Sequence, residues 1–220
     1  MTTTLTVVGN SGFARECYII IRTLMEREPN LHFNGFLSFE GYQASLHELS
    51  NLFLGMDDAH EFKPDEYAIL AIGDPKIRWQ AYTKLKMRGI RFYNLVHPDV
   101  YMDKTLELGE ANIITSGCYI SCNCRIGHAN VLNGAVHVAH DVCIGDGNFI
   151  APGVQFGGNV RMGNGNSVGT LCALLPHCVI GDNNTIAPCS AVYKGCRDNS
   201  YMIGNPAHRA GTVWSLNREQ

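Results

Sequence analysis

From Leu108 onward a large apolar residue returns at every sixth position: Leu108, Ile114, Ile120, Ile126, Leu132, Val138, Ile144, Ile150, Phe156, Met162, Val168, Leu174, Ile180, Ile186 and Val192. If about a third of residues are of this type, the odds of so long a run are on the order of one in ten million. A helix repeats every ~3.6 residues and a strand every two or so, so neither gives this period. A solenoid of short strands does. Four residues after each aliphatic comes a small or β-branched side chain or an asparagine. Every third of these is Asn: Asn112, Asn130, Asn148, Asn166 and Asn184. Glycine precedes each by three, at Gly109, Gly127, Gly145, Gly163 and Gly181. The full repeat is therefore 18 residues, three hexapeptides to a coil. This predicts a triangular column with the five asparagines in one ladder, beginning near residue 102 and ending near residue 197. About five coils at ordinary strand spacing make a column roughly 24 Å long.

The first hundred residues have a different texture. Leu5-Thr-Val-Val-Gly9 reads as a short buried strand, and Gly9-Asn10-Ser11-Gly12 turns the chain. Phe13, Cys17, Ile20, Ile21 and Leu24 then recur at helical spacing. His32 to Leu37 and Tyr67 to Ile72 predict a second and a third strand. Asp74-Pro75 supplies an N-cap and a first helical residue, Ile77, Ala81 and Leu85 share a face, and Gly89 closes the helix. Phe92 to Val96 predicts a fourth strand of the same sheet. The alternation argues a small, Rossmann-like parallel sheet flanked by helices. The expected organisation is an α/β domain over 1–100, a left-handed parallel β-helix over 101–198 and a tail over 199–220.

Composition narrows the function. Charged residues make up 17% and the net charge is −3, so no basic field waits for a nucleic acid or an anionic membrane. No apolar run approaches the roughly 20 residues that span a bilayer, and Met1-Thr2-Thr3-Thr4 lacks a secretory pattern, which together predict a cytoplasmic protein. Nine cysteines raise a metal or disulfide reading, but no Cys-x-x-Cys occurs. The repeat explains most of them otherwise: Cys118, Cys124, Cys172, Cys178 and Cys196 fall on the small inward position as compact core residues.

Because the column's interior is filled, chemistry belongs to a corner or an outer face. His140-Asp141 falls at a corner, with Cys122 and Gly158 eighteen residues away on either side. A glycine would turn that corner at less steric cost, so a histidine there asks for a reason. Gly9-Asn10-Ser11-Gly12, after the first strand, offers backbone N–H groups at a helix N-terminus, which suit a phosphate but also suit a bare turn.

The hexapeptide pattern, the N-terminal β-α-β part and Gly204-Asn205-Pro206-Ala207 after the last coil resemble the hexapeptide-repeat acyltransferases. Within them the chain is similar to the subfamily that N-acetylates nucleotide-linked amino sugars, alongside sialic-acid O-acetyltransferases. The resemblance implies His140 as the catalytic base, Asp141 as its partner and the backbone N–H of Gly158 as the oxyanion donor. It places Gly158, Gly169, Thr170 and Ala187 along the acetyl-CoA path. Gly9, Asn10, Ser11, Gly12, Ser38, Gly73 and Asp74 become candidates to hold the nucleotide sugar. It further implies a homotrimer with sites between adjacent columns and no metal.

An imidazole is suited to this task. An amine attacking a thioester must shed a proton, and a side chain titrating near neutrality takes it. Asp141 would orient the ring as the third member of a triad does, and the oxyanion needs a preorganised donor. Two positions depart from the family. A second histidine expected nine residues after the base is Phe149, and an acidic residue often ending the second strand is replaced by Ser38.

The favoured function is N-acetylation of a nucleotide-linked amino sugar, for example an NDP-4-amino-4,6-dideoxy sugar, for bacterial surface glycan or lipopolysaccharide synthesis. Three alternatives stay open: an O-acetyltransferase of the sialic-acid type, a carbonic-anhydrase-like zinc enzyme using His128, His137 and His140 across an interface, and a non-catalytic scaffold on the same column. Neither the sugar, its nucleotide nor the acetylated position is legible from the repeat.

Overall fold

A computed structural model describes residues 2–40 and 45–213. The last seven residues of the expected tail, 214–220, lie outside the described residues. The N-terminal part opens with β1 (Thr3–Val8), α1 (Gly12–Met25) and β2 (Leu31–Ser38). It continues with β3 (Phe53–Met56), β4 (Glu66–Leu70) and α2 (Pro75–Met87). The four strands form a parallel sheet in the order β3-β2-β1-β4. α1 buries Ala14, Cys17, Ile20, Ile21 and Leu24 on the sheet, as its periodicity requires. The Asp74 carboxylate accepts from the Ile77 N–H at 2.9 Å, and Gly89 at φ +75° closes α2.

The sheet's fourth strand is not the one the sequence predicts. β3 holds the edge, while Phe92 makes only an isolated bridge to Ala68. β5 (Leu95–Val96) leaves the small sheet and pairs with Ile113–Ile114 of the column. The reason lies in Asn94, whose Oδ1 accepts from the Asn112 N–H at 2.8 Å and so starts the ladder below its first expected rung.

Beyond this the chain winds into a left-handed parallel β-helix of two-residue strands, stacked in three parallel sheets. Residues pair with those 18 away: His137 with Gln155, Cys143 with Arg161, Phe149 with Ser167. The hexad aliphatics and the inward cysteines form one core cluster from Ile114 to Met202. The five asparagines are fully buried or nearly so. Each side-chain amide from Asn130 to Asn184 donates to the Oδ1 of the rung before it, at 3.2, 3.0, 2.9 and 2.9 Å. Each Oδ1 also takes the next rung's backbone N–H, so no buried amide is left wanting. Ser200 completes the ladder by donating its N–H to Asn184. A hairpin of Ser200–Gly204 and Ala207–Thr212 then extends one sheet. All nine cysteines are free, and burial pushes the Cys118, Cys178 and Cys196 thiols up to about 11, in keeping with a packing role.

The column's three faces differ in what they show outward. One carries Ile113, Val131 and Phe149 into the core shared with the α/β domain. A second displays Tyr101, Tyr119 and His137, ring stacked on ring at 4.8 and 5.0 Å. The third shows Glu107, Arg125, Cys143 and Arg161. We call them the domain, aromatic and charged faces.

Candidate active site

The corner between the aromatic and charged faces holds His140. At the following position in each coil the backbone is left-handed, at Asn123, Asp141, Asn159 and His177, with φ of 56°, 60°, 62° and 64°. Asn and Asp tolerate this region better than other non-glycine residues. The conformation turns the Asp141 carboxylate back onto its neighbour. The His140 Nδ1 lies 2.7 Å from Asp141 Oδ2, and Asn123 Nδ2 donates to Asp141 Oδ1 at 3.3 Å. These two hydrogen bonds, that from His140 first, hold the Asp141 carboxyl below its usual range. An ionised carboxylate only accepts, so the neutral ring carries its proton on Nδ1 and leaves a lone pair on Nε2.

One coil along, Gly158 closes on that free edge. A Cβ at Gly158 would stand 2.7 Å from both Cε1 and Nε2 of His140. The glycine is therefore there to admit the ring. Its carbonyl accepts from His177 and its neighbour Asn159 donates to the His140 carbonyl, both at 3.0 Å. The Gly158 N–H meets no acceptor among the described residues. His140, Asp141 and Gly158 are thus brought together as one unit, with the imidazole 56% exposed.

The other residues expected on the acetyl-CoA path lie elsewhere in the chain. Gly169, Thr170 and Ala187 occupy the corner between the domain and aromatic faces. Thr170 lines a groove there of about 600 Å³, with Asp99, Gly117, Ala135, Gly153 and Leu171. Within one chain these residues do not reach His140.

Of the seven nucleotide-sugar candidates five converge, and Gly12 and Ser38 stand outside the cavity wall. A cavity of about 240 Å³ at the C-terminal edge of the small sheet is lined by Gly9, Asn10, Ser11, Gly73 and Asp74. Phe39, Ala71, Ile72 and Ile77 join them, apolar residues the sequence reading did not select. Gly9 is required by contact and conformation alike: its φ is +138°, and a Cβ would stand 2.3 Å from the Ala71 carbonyl oxygen. Gly12 begins α1, whose N-cap Ser11 makes no side-chain cap. Ser38 ends β2, is 1% exposed and is not part of the cavity wall.

Phe149 sits on the domain face, edge-to-face with Phe13 at 6.2 Å, far in the coil from His140. The three histidines of the zinc reading diverge as well. His128 accepts the Glu110 N–H through Nδ1 and stacks on Tyr82, and His137 stacks on Tyr119. Among the described residues no three His, Cys, Asp or Glu side chains gather as a metal site. Nor is any described helix long and apolar enough to cross a membrane.

Arg78 escaped the sequence reading. It is wholly buried on the α2 face that also presents Ala81, Tyr82 and Leu85. Its helical register with Ala81 and Leu85 was the available signal, since a charged residue on an apolar stripe needs partners.

Residues 4–85 match the profile of the PglD N-terminal domain family. No curated protein matches the sequence. Among solved structures, the acetyltransferase domain of PglB from Neisseria gonorrhoeae FA1090 superposes with a TM-score of 0.83 at 19% identity, covering 94% of this chain and all of that one (100%). PerB from Caulobacter crescentus, solved with CoA and GDP-perosamine, gives 0.80 at 19% identity over 96% of this chain and 98% of its own. WeeI from Acinetobacter baumannii AYE gives 0.81 at 23% identity, over 94% and 100%. The N-terminal segment therefore carries the signature of the PglD N-terminal domain, and the chain as a whole has the two-part fold of these acetyltransferases.

Proposed function

We propose that the chain is an acetyl-CoA-dependent N-acetyltransferase acting on the amino group of a nucleotide-linked amino sugar, working as a cytoplasmic homotrimer. The observation that carries this reading is the His140–Asp141 pair with Gly158 closed against the imidazole edge. Two similar folds support the ligand classes: the PglB domain is known with acetyl coenzyme A, and PerB with CoA and GDP-perosamine.

In the chemistry this implies, the amine nitrogen attacks the thioester carbon and the carbonyl electrons move onto oxygen. His140 Nε2 takes the proton that nitrogen sheds, and Asp141 stabilises the resulting imidazolium. The Gly158 N–H donates to the oxyanion. As the carbonyl re-forms, the C–S bond breaks, and the sulfur of CoA leaves and receives the proton.

A mismatch of directions supports the trimer. The nucleotide cavity rides on the domain face, while His140 stands at the opposite corner of the triangle. A sugar in that cavity therefore needs the base of a neighbouring column. The same rotation brings the Gly169, Thr170 and Ala187 corner of one column toward the His140 corner of the next. Cyclic assemblies repeat such a heterologous contact until the ring closes.

The test is acetyl transfer in the presence of a chelator, offering GDP-, UDP- and dTDP-linked 4-amino-4,6-dideoxy sugars and measuring released thiol and product mass. The expected product gains one acetyl group on nitrogen, and acetyl-CoA at a hundred times its Kd adds about 2.7 kcal/mol of apparent stability. Acetylation confined to hydroxyls, or activity lost on chelation and restored by zinc, overturns the reading.

A further inference from the structure

The side chain of Arg78 is fully buried, and its five N–H groups meet five backbone carbonyls. Nη1 donates to Ile72 and Gly73 at 2.7 and 3.1 Å. Nε donates to Ala129 at 2.9 Å, and Nη2 to Gly147 and Asn148 at 3.1 and 2.9 Å. The first two carbonyls belong to the loop that walls the nucleotide cavity. The other three belong to the column. Gly147 and Asn148 lie in the turn that follows His140 within its own coil, seven and eight residues on, and Asn148 is itself a rung of the asparagine ladder. One rigid guanidinium thus ties the cavity wall to the coil that carries the base.

We infer that Arg78 is a positioning residue, setting the height of the nucleotide cavity along the column at the level of His140. This rests on the acetyltransferase reading above. In a cyclic trimer whose axis runs along the columns, a neighbour is related by rotation without translation. Its His140 therefore stands at the same height as this chain's own. Fixing the cavity to its own His140 coil fixes it to the neighbour's as well. Only an arginine can do this from one side chain, because its fork of five donors is planar and rigid, whereas a lysine offers three donors from a single nitrogen. Neighbouring contacts brace the same joint. The Trp79 ring covers Gly147, with Cε3 3.4 Å from where a Cβ would be. The Tyr82 hydroxyl donates to Glu110 at 2.8 Å.

The test compares Arg78→Lys and Arg78→Met in the whole protein, with Trp214 replaced by Phe so that emission reports Trp79. The expected result is that kcat toward the amino sugar falls roughly tenfold in the lysine variant and further in the methionine variant. KM for acetyl-CoA should stay within about twofold, and the acid limb of the pH–rate profile should be unmoved, because the base itself is intact. Trp79 emission should shift to the red as the joint loosens, and that readout needs no activity. If both variants turn over within about twofold of the parent, or Trp79 emission stays put, Arg78 does not position the cavity. If neither variant gives a cooperative melt, its role is in folding and the inference fails. Should the parent itself acetylate nothing while Trp79 still responds, the acetyltransferase reading fails and the joint stands.

Discussion

Gly157 and Gly158 are neighbours in sequence, and alanine at each should produce opposite phenotypes. At Gly157 a Cβ would stand 2.5 Å from the Pro176 backbone nitrogen and 2.6 Å from its Cδ. Neither atom can yield, because the coils are locked together by the Asn159 to His140 and His177 to Gly158 hydrogen bonds. Overpacking of this kind costs about 1–3 kcal/mol, a fall in Tm of order 5 °C for a chain of this size. At Gly158 the Cβ would stand 2.7 Å from Cε1 and Nε2 of His140, but these are the end of a half-exposed side chain that can swing away. To regain an ordinary contact of about 3.4 Å the ring must retreat by roughly 0.7 Å or rotate off Asp141, and misplacement near 1 Å costs on the order of 10²-fold in rate. Gly158→Ala should therefore melt within about 2 °C of the parent and bind acetyl-CoA, yet turn over about a hundredfold more slowly. Thermal melts, acetyl-CoA titration and thiol release measure the three quantities. If Gly158→Ala keeps turnover within about threefold, the imidazole placement seen here is not the one catalysis needs.

Four further outcomes are expected. His140→Ala should lower kcat by roughly 10²–10⁴ with acetyl-CoA affinity nearly intact, and abolish the acid limb of the pH–rate profile. Asp141→Asn should cost less in the same assay, since the ring keeps a hydrogen-bonding neighbour and loses only the charge. Asn148→Ala strips one buried rung: the Asn166 N–H and amide lose their acceptor, and Asn130 Oδ1 keeps the backbone N–H of residue 148 but loses the side-chain amide donor. At about 1–3 kcal/mol per unsatisfied group, denaturant unfolding should show a loss of about 3 kcal/mol or more. Glu66 concerns acid stability. Burial alone would raise its pKa, but hydrogen bonds from Thr6, His60 and the Lys63 N–H outweigh it and hold the carboxyl below its ordinary range. A folded-state pKa below the unfolded one gives stability that is present above the unfolded value and lost as pH falls through the folded value. Melts of Glu66→Gln from about pH 6 downward should start lower than the parent's and flatten out, losing less per pH unit.

The sequence by itself determined the column and the meeting of His140, Asp141 and Gly158 at one corner, for a physical reason. In a solenoid each coil touches only its neighbours, so spatial adjacency is a fixed offset along the chain. Eighteen residues from Asn130 is Asn148, and eighteen from His140 is Gly158, and both pairs meet as that offset requires. The cavity-forming turn at Gly9–Ser11 was equally local, set by one strand entering one helix. What the tertiary structure decided lies where two non-periodic surfaces meet. β5 left the small sheet's β4 edge because Asn94 found the ladder, and β3 joined the opposite edge, on β2, without any alternation to announce it. Phe149 turned to Phe13, not to His140, because its face of the triangle is the one the α/β domain covers. Gly169, Thr170 and Ala187 fell on another corner from His140, since the hexad pattern marks corners as equivalent while the docked domain makes them different. Arg78 reads as one charge on a helix, and only the docking of α2 onto the coil of His140 supplies the five carbonyls that make its burial stable.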